Sequence, residues 1–175
     1  NNHDASNHDE HIISSSRLRK AISAGDMVLA TTLMGRSFAV HAPIINGDQW
    51  GRTIGFPTAN LDVGLLQSQK KILPPTGIYA TRASIAGDDK LYDGSAYHGL
   101  RAGLKNQQQP EQRLEVHLFD FAGDIYGKDI TIFFIVQLRG DKVIHNLDDL
   151  KIQIATDNKA VKKILASHAP LCYGG

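Results

Sequence analysis

One cysteine, Cys172, stands in 175 residues, so no disulfide can form within the chain and its stability must come from an apolar core. Charge is equally thin as a block. The 19 Lys and Arg nearly balance the 18 Asp and Glu, and no basic run exists that could track a phosphodiester backbone or an anionic bilayer. Nucleic acid and membrane are therefore set aside as partners, and a small molecule is expected instead. No stretch approaches the roughly 20 apolar residues of a membrane span, and no unit of about 20 to 50 residues recurs as it would in a solenoid or propeller. A reducing, cytoplasmic location is the expectation. An initiating Met and a basic-then-apolar leader are also lacking, so the chain is expected to be a piece of a longer protein. What it has, a 42% hydrophobic share, suffices for one domain with a modest appendage.

The first residues, Asn1 to His11, are polar, with His3, His8 and His11 among Asn and Asp. They show no periodicity that could bury a face, and no cysteines or helical spacing that would make the histidines a metal site. A tail is expected over 1–13. Ser14 to Ser16 then offer hydroxyl caps, Leu18 and Ile22 repeat at i,i+4, and Gly25 gives a stop; Asp26 caps a second apolar stripe that ends at Gly35. These features predict a helical hairpin over 14–35. The main domain is expected over 36–168, with 169–175 as a second tail.

Beyond Arg36 the signals are those of β structure. Phe38, Val40, Ile44 and Ile45 mark a strand whose Pro43 suggests an edge or a bulge, and Gly77 to Ile85 alternates before a Gly87-Asp88 turn that leads to Leu91-Tyr92. Leu114 to Phe121 alternates as well, and Ile130 to Leu138 is almost continuously β-branched and aromatic. Between strands, Asn106 to Pro110 reads as a loop. After Asn146 as a cap, Leu147, Leu150, Ile154, Val161, Ile164 and Leu165 fall at helical spacing. The expected fold is mainly β: a small antiparallel Greek-key β-barrel of about six strands with a C-terminal α-helix, preceded by the helical hairpin.

Gly47, Gly51 and Gly55 recur every fourth residue, with Arg52 between the last two. Such a segment can present backbone N–H groups and a cation to an anion, although on the spacing alone a flexible hairpin loop is the favoured reading. It is neither a Walker loop, since no Lys-Ser/Thr follows, nor a dinucleotide fingerprint ahead of a helix. In Phe56-Pro57-Thr58-Ala59-Asn60 the proline stiffens the chain, and Thr58 and Asn60, two apart on an extended segment, point the same way. A hydroxyl and an amide oxygen suit Mg²⁺ when phosphates supply the remaining ligands; a turn at a strand end is the plainer alternative. Glu115 lies opposite Leu114, Val116 and Leu118 on its strand, facing solvent or a cleft. In a cleft it could accept a proton from an alcohol. His117 shares that face and reads as structural.

These segments together resemble the riboflavin kinase family: Gly51-Arg52-Thr53-Ile54-Gly55-Phe56-Pro57-Thr58-Ala59-Asn60, then Leu114-Glu115-Val116-His117-Leu118-Phe119-Asp120-Phe121. The likeness continues through Leu73 to Ala80, Asp124 to Gly127, Leu138-Arg139 and Leu147 to Leu150, covering about Gly35 to Leu165. It implies transfer of the γ-phosphoryl of ATP, with Mg²⁺, to the 5′-hydroxyl of riboflavin, giving FMN and ADP. Carried over residue by residue, it implies Glu115 as catalytic base; Gly47, Arg52, Thr58, Leu118, Asp120 and Tyr126 for ATP; Thr58 and Asn60 for Mg²⁺; and Arg139, Lys142 and Ile144 for the flavin. Ile144 stands where an aromatic is usual. Ser14 to Arg19, Gly25-Asp26 and Leu33 to Arg36 look like the end of the FMN adenylyltransferase domain of the bifunctional bacterial enzyme. That likeness implies an upstream domain in the parent protein, which would make FMN and then FAD, while this chain would keep only the first step. Two stretches depart from the family pattern. Tyr97 to Gly103 keeps only Gly99 and Arg101 of Asn-x-Gly-x-Arg-Pro-Thr, and Ala42-Pro43 replaces a usual glycine. A catalytically weakened flavin-binding or regulatory module, and a nucleotide-binding barrel with another acceptor, are the rival readings.

Overall fold

The computed structural model describes residues 15–47, 50–101, 111–144 and 146–168. The expected tails, the N-terminal histidines, the Asn106–Pro110 loop and Cys172 lie outside these residues. Helices α1 (Ser15–Ser23) and α2 (Met27–Met34) form where the caps predict them. Gly25 and Gly35 take φ of 76° and 67°, the left-handed conformation that ends a helix without a Cβ penalty. Asp26 Oδ1 accepts the Leu29 N–H at 2.9 Å, satisfying one of the free donors of the first turn.

Six strands follow: β1 (Phe38–Ile45), β2 (Ala59–Leu61), β3 (Gly77–Ile85), β4 (Leu91–Arg101), β5 (Glu111–Leu118) and β6 (Asp129–Gly140). They pair antiparallel throughout and close in the order β1-β2-β5-β4-β3-β6. Short helices α3 (Trp50–Thr53) and α4 (Val63–Ser68) interrupt the connections on either side of β2, and α5 (Leu147–Ser167) closes the described chain. Helix α4 was not expected, because Val63 and Leu66, its two buried residues, span too few turns to establish a period. Among the described residues no helix is long and apolar enough to cross a membrane.

The alternation of each strand sorts its side chains. Val40, Ala42 and Ile44, Tyr79, Ala83 and Ile85, Leu114 and Val116, and Ile130, Ile132 and Phe134 form one buried cluster. Each fully buried Val, Leu, Ile or Phe side chain contributes about 1.5–3 kcal/mol. The Tyr79 ring meets Phe134 edge-on at 5.2 Å, and its hydroxyl donates to the Pro75 carbonyl at 2.6 Å, while burial pushes the phenol's pKa well up. Ile22, Met27, Ala30 and Leu33 of the helical hairpin join the same cluster. Buried His98 donates from Nδ1 to the Pro74 carbonyl at 2.7 Å and meets the Gln112 amide through Nε2 at 2.8 Å.

The continuous apolar run of β6 has a simple cause: both of its faces are covered. Ile130, Ile132 and Phe134 belong to the barrel cluster, whereas Phe133, Ile135 and Val136 join Ala80, Phe119, Val161 and Leu165 in a second cluster that includes α5. Asn146 caps this helix, its side chain accepting the Asp149 N–H at 2.8 Å, with Asp148 and Asp149 in the first turn favourable to the helix dipole. Pro43 is neither at a free edge nor at a bulge. It is the last β1 residue paired with β6, next to Ile44, which pairs with β2. Its carbonyl accepts the Asp62 N–H at 3.3 Å, on the side where its own nitrogen has no hydrogen to offer. The irregularities fall instead between β3 and β6, at Ile78/Tyr79 and Ala80/Thr81.

Arg82 ties the far end of α5 to the barrel. Its Nη2 donates to the carbonyls of Leu165 at 3.2 Å and His168 at 2.9 Å, and its Nε to Asp93 Oδ1 at 3.1 Å. Arg82→Ala is expected to lower unfolding stability by about 2 kcal/mol, since it leaves helix-end carbonyls and a carboxylate without their donor. Urea denaturation of the two proteins would measure it.

Candidate active site

Strand β5 buries Leu114, Val116 and Leu118, and its period of two therefore turns Arg113, Glu115 and His117 to the outer wall of the barrel. Pairing places Glu115 directly beside Asn60 of β2 on one side and Tyr97 of β4 on the other. The row continues across the sheet, since Tyr97 pairs with Ile78 and Ile78 with Arg139. The Thr58 hydroxyl donates to Glu115 Oε2 at 3.2 Å. Arg113 Nη1 lies 3.7 Å from the other carboxylate oxygen, and the Glu115 side chain is 22% exposed. An anionic group is thus held on a partly sheltered wall next to one hydroxyl and one amide.

The glycines around this wall serve close approach. A Cβ at Gly47 would overlap the Asn60 amide, and one at Gly51 would overlap the Phe56 carbonyl. Gly51 O accepts the Phe56 N–H at 2.7 Å, which folds the loop back onto Phe56–Asn60. At both positions the missing side chain lets backbone approach its neighbour closely. His117 completes the clamp. Its Nδ1 donates to the Pro57 carbonyl at 2.7 Å, and its ring meets Phe56 and Phe119 edge-on at 5.9 and 5.6 Å, a structural role.

Two cavities take in several of the expected site residues. The first, about 210 Å³, is lined by Arg52, Thr58, Leu118, Phe121, Ile125 and Tyr126, among others; Asp124 orders its rim by accepting the Tyr126 N–H at 3.1 Å. The second, about 270 Å³, lies between the β6–α5 connection and α5, against Lys142, Val143, Ile144, Asp149, Ile152 and Gln153. Val143 and Ile152 are 78% and 66% exposed, so this cavity offers apolar surface that nothing in the described residues covers.

The expected site residues therefore separate into groups. Gly47, Thr58, Asn60 and Glu115 come together. Arg52, Leu118 and Tyr126 line the first cavity, and Lys142 and Ile144 the second. Asp120 does not join them: it sits at a turn with φ of 54°, its side chain 91% exposed and 3.9 Å from Lys162. Arg139 is turned to α5, where its Nη2 meets Asp157 Oδ2 at 2.6 Å and its Nε bridges both carboxylate oxygens at 3.1 and 3.2 Å. Two participants were not anticipated as site residues, Tyr97 and Asp141, whose side chains meet at 3.2 Å. Tyr97 could have been found from the alternation of β4, but Gly94, Ser95, Ala96 and Gly99 are weak strand formers and hide it.

Fold and site together define a closed antiparallel barrel whose outer wall carries a carboxylate beside Thr58, Asn60 and Tyr97. The family model described as riboflavin kinase matches residues 34–165, and the chain belongs to the riboflavin kinase family. It is 38% identical over 147 residues to the bifunctional riboflavin kinase/FMN adenylyltransferase of Bacillus subtilis, covering 84% of this chain and 45% of that one. It is 35% identical over 161 residues to the Escherichia coli K12 protein of the same name, with 90% and 48% covered. The chain thus spans about half the length of the curated relatives it matches. Among solved structures, one named as a macrolide-efflux protein from Streptococcus pneumoniae aligns with a TM-score of 0.72 at 29% identity, covering 90% of this chain and 47% of that chain.

Burial first, then Asp141 and Glu115, push the Tyr97 phenol up to about 12 from 10.0. A raised folded-state value means that its contribution to stability is whole below the unfolded value and is lost as pH rises through the folded one. In an ultraviolet titration of phenolate, the protein should show a component near pH 12 that Tyr97→Phe lacks.

Proposed function

We propose that this chain is a riboflavin kinase, transferring the γ-phosphoryl of ATP to the 5′-hydroxyl of riboflavin to give FMN and ADP. The observation that carries this reading is the position of Glu115, hydrogen-bonded to Thr58 of the first cavity and paired through Tyr97 with the segment that walls the second. A base between a donor cleft and an acceptor cleft is what phosphoryl transfer to an alcohol requires. The nucleotide would take the first cavity, near Gly47 and against Arg52, Leu118 and Tyr126, with its γ-phosphate toward Thr58 and Asn60. Riboflavin would take the second, its ring system on the apolar surface by Ile144 and Lys142, its ribityl chain toward Glu115.

Glu115 accepts the proton of the 5′-hydroxyl as that oxygen forms its bond to the γ-phosphorus and the bond to the β–γ bridging oxygen breaks, releasing ADP. Arg52 offsets phosphate charge. Among the described residues no cluster of three or more His, Cys, Asp or Glu exists to hold a metal. The oxygens of Thr58 and Asn60 nevertheless fit Mg²⁺, a hard cation that leaves most of its positions to phosphate and water. When bound with the nucleotide it supplies charge neutralisation across the phosphates. Arg139 serves this site indirectly, by fixing α5 through Asp157.

The relatives are named as bifunctional, and the chain matches about half of each. We read it as the kinase portion, over 36–168, with α1 and α2 as the end of an upstream FMN adenylyltransferase portion. On that reading the parent protein continues from FMN to FAD, and this chain stops at FMN. Incubation with ATP, Mg²⁺ and riboflavin, followed by separation of the flavins, should give FMN and no FAD. Glu115→Gln should lower kcat by about 10²- to 10⁴-fold while riboflavin still quenches on binding. Near-normal FMN formation by that variant would remove Glu115 from its role.

A further inference from the structure

The kinase reading leaves Tyr97, beside Glu115, without a task. Tyr97 is the cross-strand neighbour of Glu115, half-buried, with its ring laid along the strand over Gly99, where any Cβ would overlap the phenol. Its hydroxyl does not turn to Glu115. It donates instead to Asp141 Oδ2 at 3.2 Å, just beyond the end of β6. The other Asp141 oxygen accepts the Lys142 N–H at 2.8 Å. From there the chain of contacts runs into the helix: Lys142 Nζ donates to Gln153 Oε1 at 3.3 Å, Gln153 Nε2 to Asp157 Oδ1 at 2.9 Å, and Asp157 accepts from Arg139. Lys142 and Gln153 are themselves walls of the second cavity.

We infer that Tyr97 is an acceptor-positioning residue, which through Asp141 holds the 141–144 wall of the riboflavin cavity in register with the base Glu115. The inference rests on the kinase reading of the site. Its physical basis is the need to keep an alcohol oxygen within hydrogen-bond reach of a strand-borne carboxylate when the cavity holding the rest of the acceptor belongs to a different element. Strand and helix are joined by a connection whose backbone, from Asp141 to Ile144, has no sheet or helix ladder of its own. A side-chain strut from β4 supplies the missing constraint. The hydroxyl is well suited to it: burial first, then Asp141 and Glu115, disfavour a phenolate, so the group stays a donor, and a carboxylate is a strong acceptor. The nucleotide cleft shares none of these residues. A loss of the strut should therefore be felt on the acceptor side alone.

Kinetics of Tyr97→Phe, Asp141→Ala and the double variant separate this role from a general structural one. Tyr97→Phe should raise the riboflavin KM, and the riboflavin Kd from flavin fluorescence quenching, by about three- to tenfold, leaving the ATP KM and the kcat at saturating riboflavin within about twofold. In the Asp141→Ala background, the Tyr97→Phe change should add nothing further, because its partner is already gone. An unchanged riboflavin KM in Tyr97→Phe, equal losses toward ATP and riboflavin, or independent additive effects of the two substitutions would each overturn the inference. A wild-type chain that makes no FMN would overturn the kinase reading and this inference with it. Turnover by the wild type with an unaffected Tyr97→Phe variant would overturn this inference alone.

Discussion

The pairing register of β5 between β2 and β4 is the constraint on which the site depends. A strand has a period of two, so a slip of one residue would drive Glu115 into the barrel and expel Leu114 and Val116. Leu114 and Val116 are fully buried, and exposing both while burying a carboxylate would cost several kcal/mol. The barrel core therefore decides which way Glu115 faces. It also decides what stands next to it, since the same register sets Asn60 on one side and Tyr97 on the other. The chemistry on the outer wall is in this sense a consequence of packing on the inner one.

A second constraint comes from the two arginines under α5. Arg139 meets Asp157, which is 6% exposed, and Arg82, also 6% exposed, meets the helix's last carbonyls. Buried charges left without partners are costly, whereas paired ones add little net stability over apolar residues of similar size. Their effect is to fix where the helix stops along the barrel. Val161 and Leu165 would pack against an apolar sheet face in several registers, but the guanidinium groups accept only one. Because Asp149, Ile152 and Gln153 of the second cavity ride on this helix, its axial position determines that cavity's shape.

Long periodic segments were readable from the chain alone: α5 from its cap at Asn146, β3, β5 and β6 from their alternation or continuity, and α1 and α2 from serine, aspartate and glycine punctuation. The meeting of Thr58, Asn60 and Glu115 was readable too, because residues of suitable chemistry stood in two recognisable segments. Tertiary pairing was not. Tyr97 and Asp141 are far apart in the chain and meet only because β4 and the end of β6 flank β3. The close approach of Gly47 to Asn60 looked like loop flexibility, since spacing carries no information about what lies against a glycine. Asp120 and Arg139 follow the same logic: the family resemblance implied ligand contacts for them, and it carries no information about Lys162 and Asp157, their neighbours in space. Pro43 suggested an edge, but in a closed sheet it occupies the point where β1 exchanges one partner for another.

Strand β2 has only three residues, joined to two of β1 and three of β5. A closed barrel is only as tight as its narrowest seam, and this seam carries Asn60. The sheet's other interfaces run over many more residues, so thermal opening will begin here, as a local unzipping that leaves the remaining cylinder intact. The edge that carries Asn60 is thus also the molecule's mechanical weak point. A ligand that bridges β2 to its neighbours would act as a stitch, turning binding energy directly into closure of the barrel.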